Sequence, residues 1–285
     1  MKSCSATALL ALSGALALLP PVSTARADEN LFGAVRGSET LPAGHFDLYQ
    51  SITLRDGKQF GSYHAWDFDT EVEYGFTDTF QMSVDVIQHA FDISGVEDLR
   101  NDTFYKFGGV EVAAKYRFNS VFKDGYGLTF RPEFGFLKYD DVGGIIQKEL
   151  FIAPSLIFQK NFYDDTLIFV ANAGFEFAFG KQPAEEYDKE LSFQGGLGLT
   201  YRFAPNWFAG VETRVRSEYP RFVLSDHEHT AIFAGPSLHY AAQKWWATLQ
   251  WGYQAYGSEV DSTESGKAWA EEARNEFRLK IGFNF

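Results

Sequence analysis

The residues best suited to chemistry lie in the last third of the chain, at 226–239. Ser237 and His239 stand two residues apart, a spacing that puts a nucleophile and a base on one face of a strand. The run Asp226-His227-Glu228-His229 carries metal-ligating residue types, but loop histidines are more often solvated than bound to a metal ion. No glycine-rich phosphate loop, zinc-protease helix motif or elbow serine occurs. The sequence therefore predicts neither an enzyme nor a cofactor or metal site.

The elements that would position these residues are β-strands, because apolar and polar residues alternate along most of the chain. Twelve alternating segments follow one another and end at Phe285. The phase of the sixth segment, near 147–160, stays open because apolar residues such as Leu150 and Phe151 occupy both of its faces. No segment has a convincing amphipathic-helix periodicity, so we predict an all-β protein.

The connections between these segments alternate in length. Short turns at 77–78, 161–165, 204–206 and 241–243 alternate with longer polar stretches at 93–103, 181–189, 217–229 and 257–269. Short turns at one end, long loops at the other and an even strand number are typical of outer-membrane barrels. We therefore predict a single transmembrane antiparallel up-and-down β-barrel of about twelve strands over residues 44–285. A soluble β-sandwich is the alternative, but no second sheet is left to cover the apolar phase.

The N-terminal part predicts export. Residues 6–19 are apolar or small, and Ala25 and Ala27 frame an A-x-A cleavage site, so residues 1–27 are predicted to be a cleaved signal peptide. The only cysteine, Cys4, lies in that segment, so the mature chain needs no disulfide. A net charge of −13 argues against nucleic-acid binding. Residues 28–43 precede the first strand, either as a periplasmic segment or as a plug in the lumen.

The polar phase of the predicted strands would line the barrel. It has an acidic side on the second to fourth strands and arginines on the eighth, ninth and twelfth. The candidate lumen-lining residues are Asp67, Asp69, Glu71, Glu73, Asp85, Glu111, Lys115, Arg117, Arg202, Glu212, Arg214, Arg216, Arg274, Glu276, Arg278 and Lys280.

Two interpretations of these charges compete. Twelve strands make a backbone ring roughly 24 Å across, which leaves about 10 Å of free width between side chains. In one interpretation, acidic and basic walls face each other and orient small polar or zwitterionic solutes. In the other, the charges pair with neighbours on adjacent strands and only satisfy a wet interior.

Several stretches resemble a domain-of-unknown-function family of Gram-negative outer-membrane barrels, and more loosely the porin-like barrels of aromatic-degradation gene clusters. These stretches are ENLFGAVRGSETLPAG, EVEYGFTD, YRFAPNWFAGVE, FAGPSLHY, WWATLQW and RLKIGFNF. The resemblance covers nearly the whole predicted mature chain. It implies the fold and a location in the outer membrane, and it implies no substrate.

The last strand also carries an assembly motif. Its alternating apolar residues resemble the signal read by the barrel-assembly machinery: Phe277, Leu279, Ile281, Phe283 and Phe285. Ser237 and His239 fall near a short turn, opposite the end at which known outer-membrane enzymes act, which disfavours catalysis. We expect a narrow porin-like channel for small polar or charged solutes, in contact with outer-membrane lipid and lipopolysaccharide. A non-conducting structural or surface-interaction barrel is the alternative, and an outer-leaflet enzyme is a third.

Overall fold

A computed structural model describes residues 30–183, 187–260 and 266–285. The predicted signal peptide, with Ala25 and Ala27, lies outside these ranges. In the described part no helix is long and apolar enough to cross a membrane.

The described residues form twelve β-strands and one short helix. The strands are β1 Phe46–Asp56, β2 Ser62–Thr77, β3 Phe80–Ser94, β4 Asp102–Asn119, β5 Gly127–Tyr139, β6 Ile146–Phe162, β7 Leu167–Lys181, β8 Asp188–Ala204, β9 Trp207–Pro220, β10 His229–Ala241, β11 Trp245–Glu259 and β12 Asn275–Asn284. The helix α1, Val121–Asp124, lies in the β4–β5 connection and is capped by the Ser120 side chain.

The twelve strands close into one antiparallel barrel in chain order, and β1 pairs with β12. Leu48 lies opposite Phe283 and Leu54 opposite Phe277 in this closing pair. Closure leaves no free sheet edge, which explains how a chain without disulfide-forming cysteines in its strands holds a large sheet together. The predicted fold class is confirmed. We refer below to the long-loop end and the short-turn end of the barrel.

The two faces of the wall differ in polarity. The outer face exposes many large apolar side chains, and aromatic rings cluster beside the short turns. There, Trp207 and Tyr240 have ring centroids 4.7 Å apart, and the Phe46 and Phe285 rings stack at 4.8 Å. Rings at the edge of an apolar belt are typical of membrane-spanning barrels.

The structure also decides the phase of β6. Leu150 and Leu156 are exposed on the outer face, whereas Phe151 and Ile157 are buried on the inner face. Inside the barrel, Ile157 packs in an apolar cluster, which accounts for an apolar residue at this inward position.

Candidate functional site

Residues 30–43, which we call the lumenal segment, lie inside the barrel. Its apolar side chains Leu31, Phe32 and Val35 are 3%, 0% and 2% exposed. They form a cluster with the inward-facing apolar residues of β6, β7 and β9, namely Ile157, Ile168, Val170 and Phe208. Full burial of such a side chain contributes about 1.5–3 kcal/mol. The apolar inner positions of the wall therefore form a docking surface for this segment.

One inward carboxylate holds the backbone at the start of the segment. Glu212 of β9 accepts hydrogen bonds from the N–H groups of Gly33, Ala34 and Val35, at 2.9, 2.7 and 3.3 Å. Arg278 of β12 donates to the Gly33 carbonyl oxygen at 3.0 Å. These bonds satisfy backbone groups that would otherwise be buried without partners.

Arg36 carries the positive charge of the segment to the acidic wall. Its guanidinium donates to Glu71 at 2.9 Å and to the Tyr49 hydroxyl at 2.9 Å, and lies 3.7 Å from Glu73. Burial opposes this charge, but the Glu71 and Glu73 carboxylates hold the pKa of Arg36 well above its usual value. The acidic column of β2 thus faces a cation from the chain's own N-terminal part.

Glu39 makes the converse contact with the basic pair on β4. Its carboxylate pairs with Arg117 and accepts from the backbone N–H of Val121 at 2.8 Å. Lys115 donates to the Glu39 carbonyl oxygen at 2.5 Å. Further along, the Leu41 N–H donates to the Gln81 side chain at 2.7 Å. The segment therefore matches both signs of charge on the inner wall.

The predicted arginines of β9 are paired with acids on other strands. Arg214 bonds to Glu276 of β12 at 2.5 Å, across two intervening strands. Arg216 pairs with Glu218 and lies 3.4 Å from Asp141 in the β5–β6 connection. The inner charges of β9 therefore do not stand as an unpaired basic wall.

Part of the predicted acidic side is also paired. Asp67 accepts two bonds from Arg55, each at 2.9 Å, and lies 2.8 Å from His89. Arg55 is the second-last residue of β1 and lies opposite Ala65 of β2. Its partner Asp67 lies two residues further along β2. This cluster joins β1, β2 and β3 near the long-loop end.

Another part of the acidic side forms a continuous strip. Glu71, Asp85 and Glu111 lie opposite one another in register across β2, β3 and β4. Glu111 lies close to Glu133 of β5, and Arg131 pairs with Glu133. Asp85 and Glu111 are half-buried rather than enclosed, as is Asp69. These three side chains therefore keep part of their surface accessible inside the barrel.

The remaining predicted lining residues lie toward the two ends or under the segment. Arg202 donates to the Asp164 carbonyl oxygen at the β6–β7 turn, at the short-turn end. Arg274, just before β12, donates to the Gln59 carbonyl oxygen and stacks over Trp269 at 4.2 Å. Lys280 is buried with its amine 5.8 Å from the centre of the Tyr49 ring.

His239 is a structural residue in this arrangement. Its Nδ1 lies 2.7 Å from the hydroxyl of Thr248, and that hydroxyl donates to the Asn30 carbonyl oxygen at 2.7 Å. The ring also packs against Phe208 and Trp246. The pair Ser237–His239 therefore lies beneath the lumenal segment, away from the long-loop end.

The sequence did not reveal which residues bind the lumenal segment to the inner wall of the barrel. Arg36 and Glu39 lie in a stretch without periodicity, so no pattern assigned their direction. The strands nevertheless contained an indication that something apolar packs inside the barrel. Ile157 and Phe208 are apolar, although they lie at inward positions where a polar lumen was predicted. Arg131 and Glu133 also stand in the inward phase of β5 and were identifiable from alternation.

The fold and the charged, segment-filled interior define a porin-like β-barrel. The sequence matches the family described as "Family of unknown function (DUF6662)" over residues 24–285, and the chain belongs to that family. No curated protein matches the sequence.

Solved outer-membrane barrels share this fold. The COG4313 outer membrane channel from Pseudomonas putida F1 is 12% identical, with a TM-score of 0.53 over 87% of this chain and 97% of that one. The NanC porin is 13% identical, with a TM-score of 0.51 over 84% and 98%. The translocator domain of autotransporter NalP from Neisseria meningitidis is 10% identical, with a TM-score of 0.50 over 84% and 87%. Identities this low show the fold alone.

Proposed function

We propose that this protein is a narrow outer-membrane channel for small polar or charged solutes, and that the lumenal segment closes it. The proposal rests on which part of the chain fills the barrel. Small barrels are usually filled by side chains of their own strands. Here a separate segment that precedes β1 occupies the interior, so it can leave without breaking any strand pair.

The inner wall supports a polar solute. Displacement of residues 30–43 would uncover Glu71 and Glu73 on one side and Arg117 on another, each of which pairs with the segment. The strip of Asp85 and Glu111 adds further carboxylates. Fixed charges of both signs in a narrow water-filled passage favour zwitterionic or charged solutes over apolar ones.

The same observation favours a second candidate, a barrel that never opens. Apolar contacts at Phe32 and ion pairs at Arg36 and Glu39 hold the segment in place. In that case the protein serves as a structural or surface-interaction barrel in contact with lipopolysaccharide and other outer-membrane lipid. In either case, we propose that the barrel-assembly machinery recognises the last strand. We propose no enzymatic step.

Planar-bilayer recordings distinguish the two candidates. We expect the protein lacking residues 28–43 to conduct with a larger and steadier single-channel current than the protein that keeps them. Neutralising Glu71 and Glu73 in the deletion variant should reduce its preference for cations over anions. Heat-modifiable migration on gels verifies that each variant is folded. Absence of conductance in both folded proteins would reject the channel, and a charge-blind current would reject only the role of the acidic wall.

A further inference from the structure

Three ligand-type side chains meet at the long-loop end of the barrel, apart from the lumenal segment. Glu218 lies near the end of β9, His229 begins β10, and Glu272 lies in the β11–β12 connection. One ligand atom from each residue can be chosen so that all three lie within 4.8 Å of one another. The three residues are 8%, 3% and 8% exposed, so the cluster is enclosed rather than spread over the surface.

The ring of the central histidine lies between the two carboxylates, beyond hydrogen-bonding distance of both. Its Nδ1 lies 3.6 Å from Glu218 Oε2 and its Nε2 lies 3.6 Å from Glu272 Oε1. Among the described residues, neither ring nitrogen of His229 forms a hydrogen bond, and neither does Glu272 Oε1. Buried polar atoms are normally hydrogen-bonded, so two ring nitrogens that each face a carboxylate beyond hydrogen-bonding distance need an explanation.

The spacing suits metal coordination better than direct hydrogen bonding. An N–H···O bond joins atoms about 2.7–3.2 Å apart, shorter than the distances found here. Two ligand atoms that each lie about 2.0–2.1 Å from a tetrahedral ion are about 3.4 Å apart. One imidazole binds an ion through one nitrogen, and the 3.6 Å between Nε2 and Glu272 Oε1 is close to that edge. Glu218 faces Nδ1, so its carboxylate must turn toward Nε2 to supply the third protein ligand, from a position where the three ligand atoms lie within 4.8 Å of one another.

The surrounding charge also favours a cation. Arg216 pairs with Glu218 and lies 3.4 Å from Asp141 and 3.9 Å from Glu190. The Arg216 guanidinium is therefore shared among three carboxylates. Imidazole and carboxylate together suit divalent ions such as Zn²⁺ and Mn²⁺.

We propose that Glu218, His229 and Glu272 bind one divalent transition-metal ion, of the Zn²⁺ or Mn²⁺ type. The ion joins Glu272, just before β12, to the ends of β9 and β10. It thereby fixes the position of residues 266–274 at the long-loop end of the barrel. This site is independent of whether the barrel conducts.

The test is a Zn²⁺ titration of the folded, chelator-stripped protein without an oligohistidine tag, repeated with Mn²⁺. We expect one ion per chain by calorimetry and a higher thermal midpoint with the bound ion than without it. His229→Ala and Glu272→Gln should each weaken binding at least tenfold and abolish the rise in midpoint. His227→Ala is the matched control, because this neighbouring histidine bonds to Thr230 and lies outside the cluster.

Each outcome decides the proposal. If the wild-type protein binds no Zn²⁺ and no Mn²⁺, the three residues form only a buried charge cluster. If His229→Ala binds as tightly as wild type, the ion sits elsewhere and the assignment is wrong. Glu272→Gln keeps the side-chain shape, so it provides the same test should His229→Ala fail to fold.

Discussion

Substitution of Glu212 by glutamine should loosen the lumenal segment by a calculable amount. The Glu212 carboxylate accepts three backbone hydrogen bonds from residues 33–35, two of them at 2.9 and 2.7 Å. Hydrogen bonds to a charged acceptor contribute about 1.5–3 kcal/mol, whereas neutral ones contribute about 0.5–1.5 kcal/mol. Glutamine keeps one acceptor oxygen and replaces the other by an NH2 donor, so one short bond is weakened and the other is lost. The cost is therefore at least about 2 kcal/mol. Since about 1.4 kcal/mol is tenfold, the undocked fraction should rise at least about 30-fold.

Cysteine labelling measures this fraction. Ser38 is fully buried within the segment, and Ser38→Cys is a small change in shape. Combined with Cys4→Ser, it provides the only thiol, because the chain has a single cysteine. A water-soluble maleimide should label the thiol introduced at position 38 at least about 30 times faster in Glu212→Gln than in the parent, as long as undocking is fast compared with labelling.

The matched control is Glu176→Gln. Glu176 is an inward-facing acid of β7 whose carboxylate accepts a hydrogen bond from Gln194 on the neighbouring strand β8. Its substitution should leave the labelling rate within about a factor of two of the parent, as expected for a site that is not coupled to the segment. Equal rates in Glu212→Gln and the parent, or equal increases in both variants, would refute the assignment of Glu212 as an anchor.

Three further predictions concern the segment, a connection and the last strand. Phe32→Ala should remove about 3–5 kcal/mol of the free energy that docks the lumenal segment. Residues 30–43 should then lose hydrogen-exchange protection while the strands keep theirs, and an equal loss in the strands would contradict the prediction. Burial lowers the pKa of Lys58 from 10.5 to about 8, so the unfolded chain binds more protons between these values and stability should rise with pH there. The free energy of unfolding should rise by at most about 1.4 kcal/mol per pH unit in this range. Lys58→Met should remove this contribution when the free energy of unfolding is measured in urea at several pH values, and an unchanged pH dependence would count against the lowered pKa. Deletion of Phe285, whose ring stacks on Phe46, should lower the yield of folded protein in the outer membrane, and normal insertion would argue against the assembly motif.

Much of the fold was predictable because barrel architecture follows from local patterns. Alternation in β2 separates Glu71 and Glu73 from Val72, and these residues do face opposite sides of the wall. The alternation of short and long connections predicted the up-and-down order that the strand pairing confirms. Strand ends were less predictable. β2 begins at Ser62, before the clearest alternation starts, because the ladder with β3 continues to Ser94.

The contacts of the candidate site were less predictable. Inward direction follows from alternation, so Arg214, Arg216 and Glu276 could be assigned to the interior. Their partners could not, because Arg214 reaches Glu276 across two intervening strands and no period in the sequence encodes that reach. Of the two interpretations left open for the inner charges, neither included these contacts: Arg214 and Arg216 pair with acids on other strands or connections, and Glu71 and Arg117 pair with the lumenal segment.

The number of strands, their order and, except in β6, the polarity of each face follow from the amino-acid sequence alone, because these properties depend on neighbours a few residues apart. The location of residues 30–43 depends on the assembled barrel, since Gly33 meets Arg278 and Glu212 from far away in the chain. A stretch without periodicity has no preferred face, and its position depends on which inward side chains match its charges and apolar groups. The barrel must close before those side chains converge on the segment.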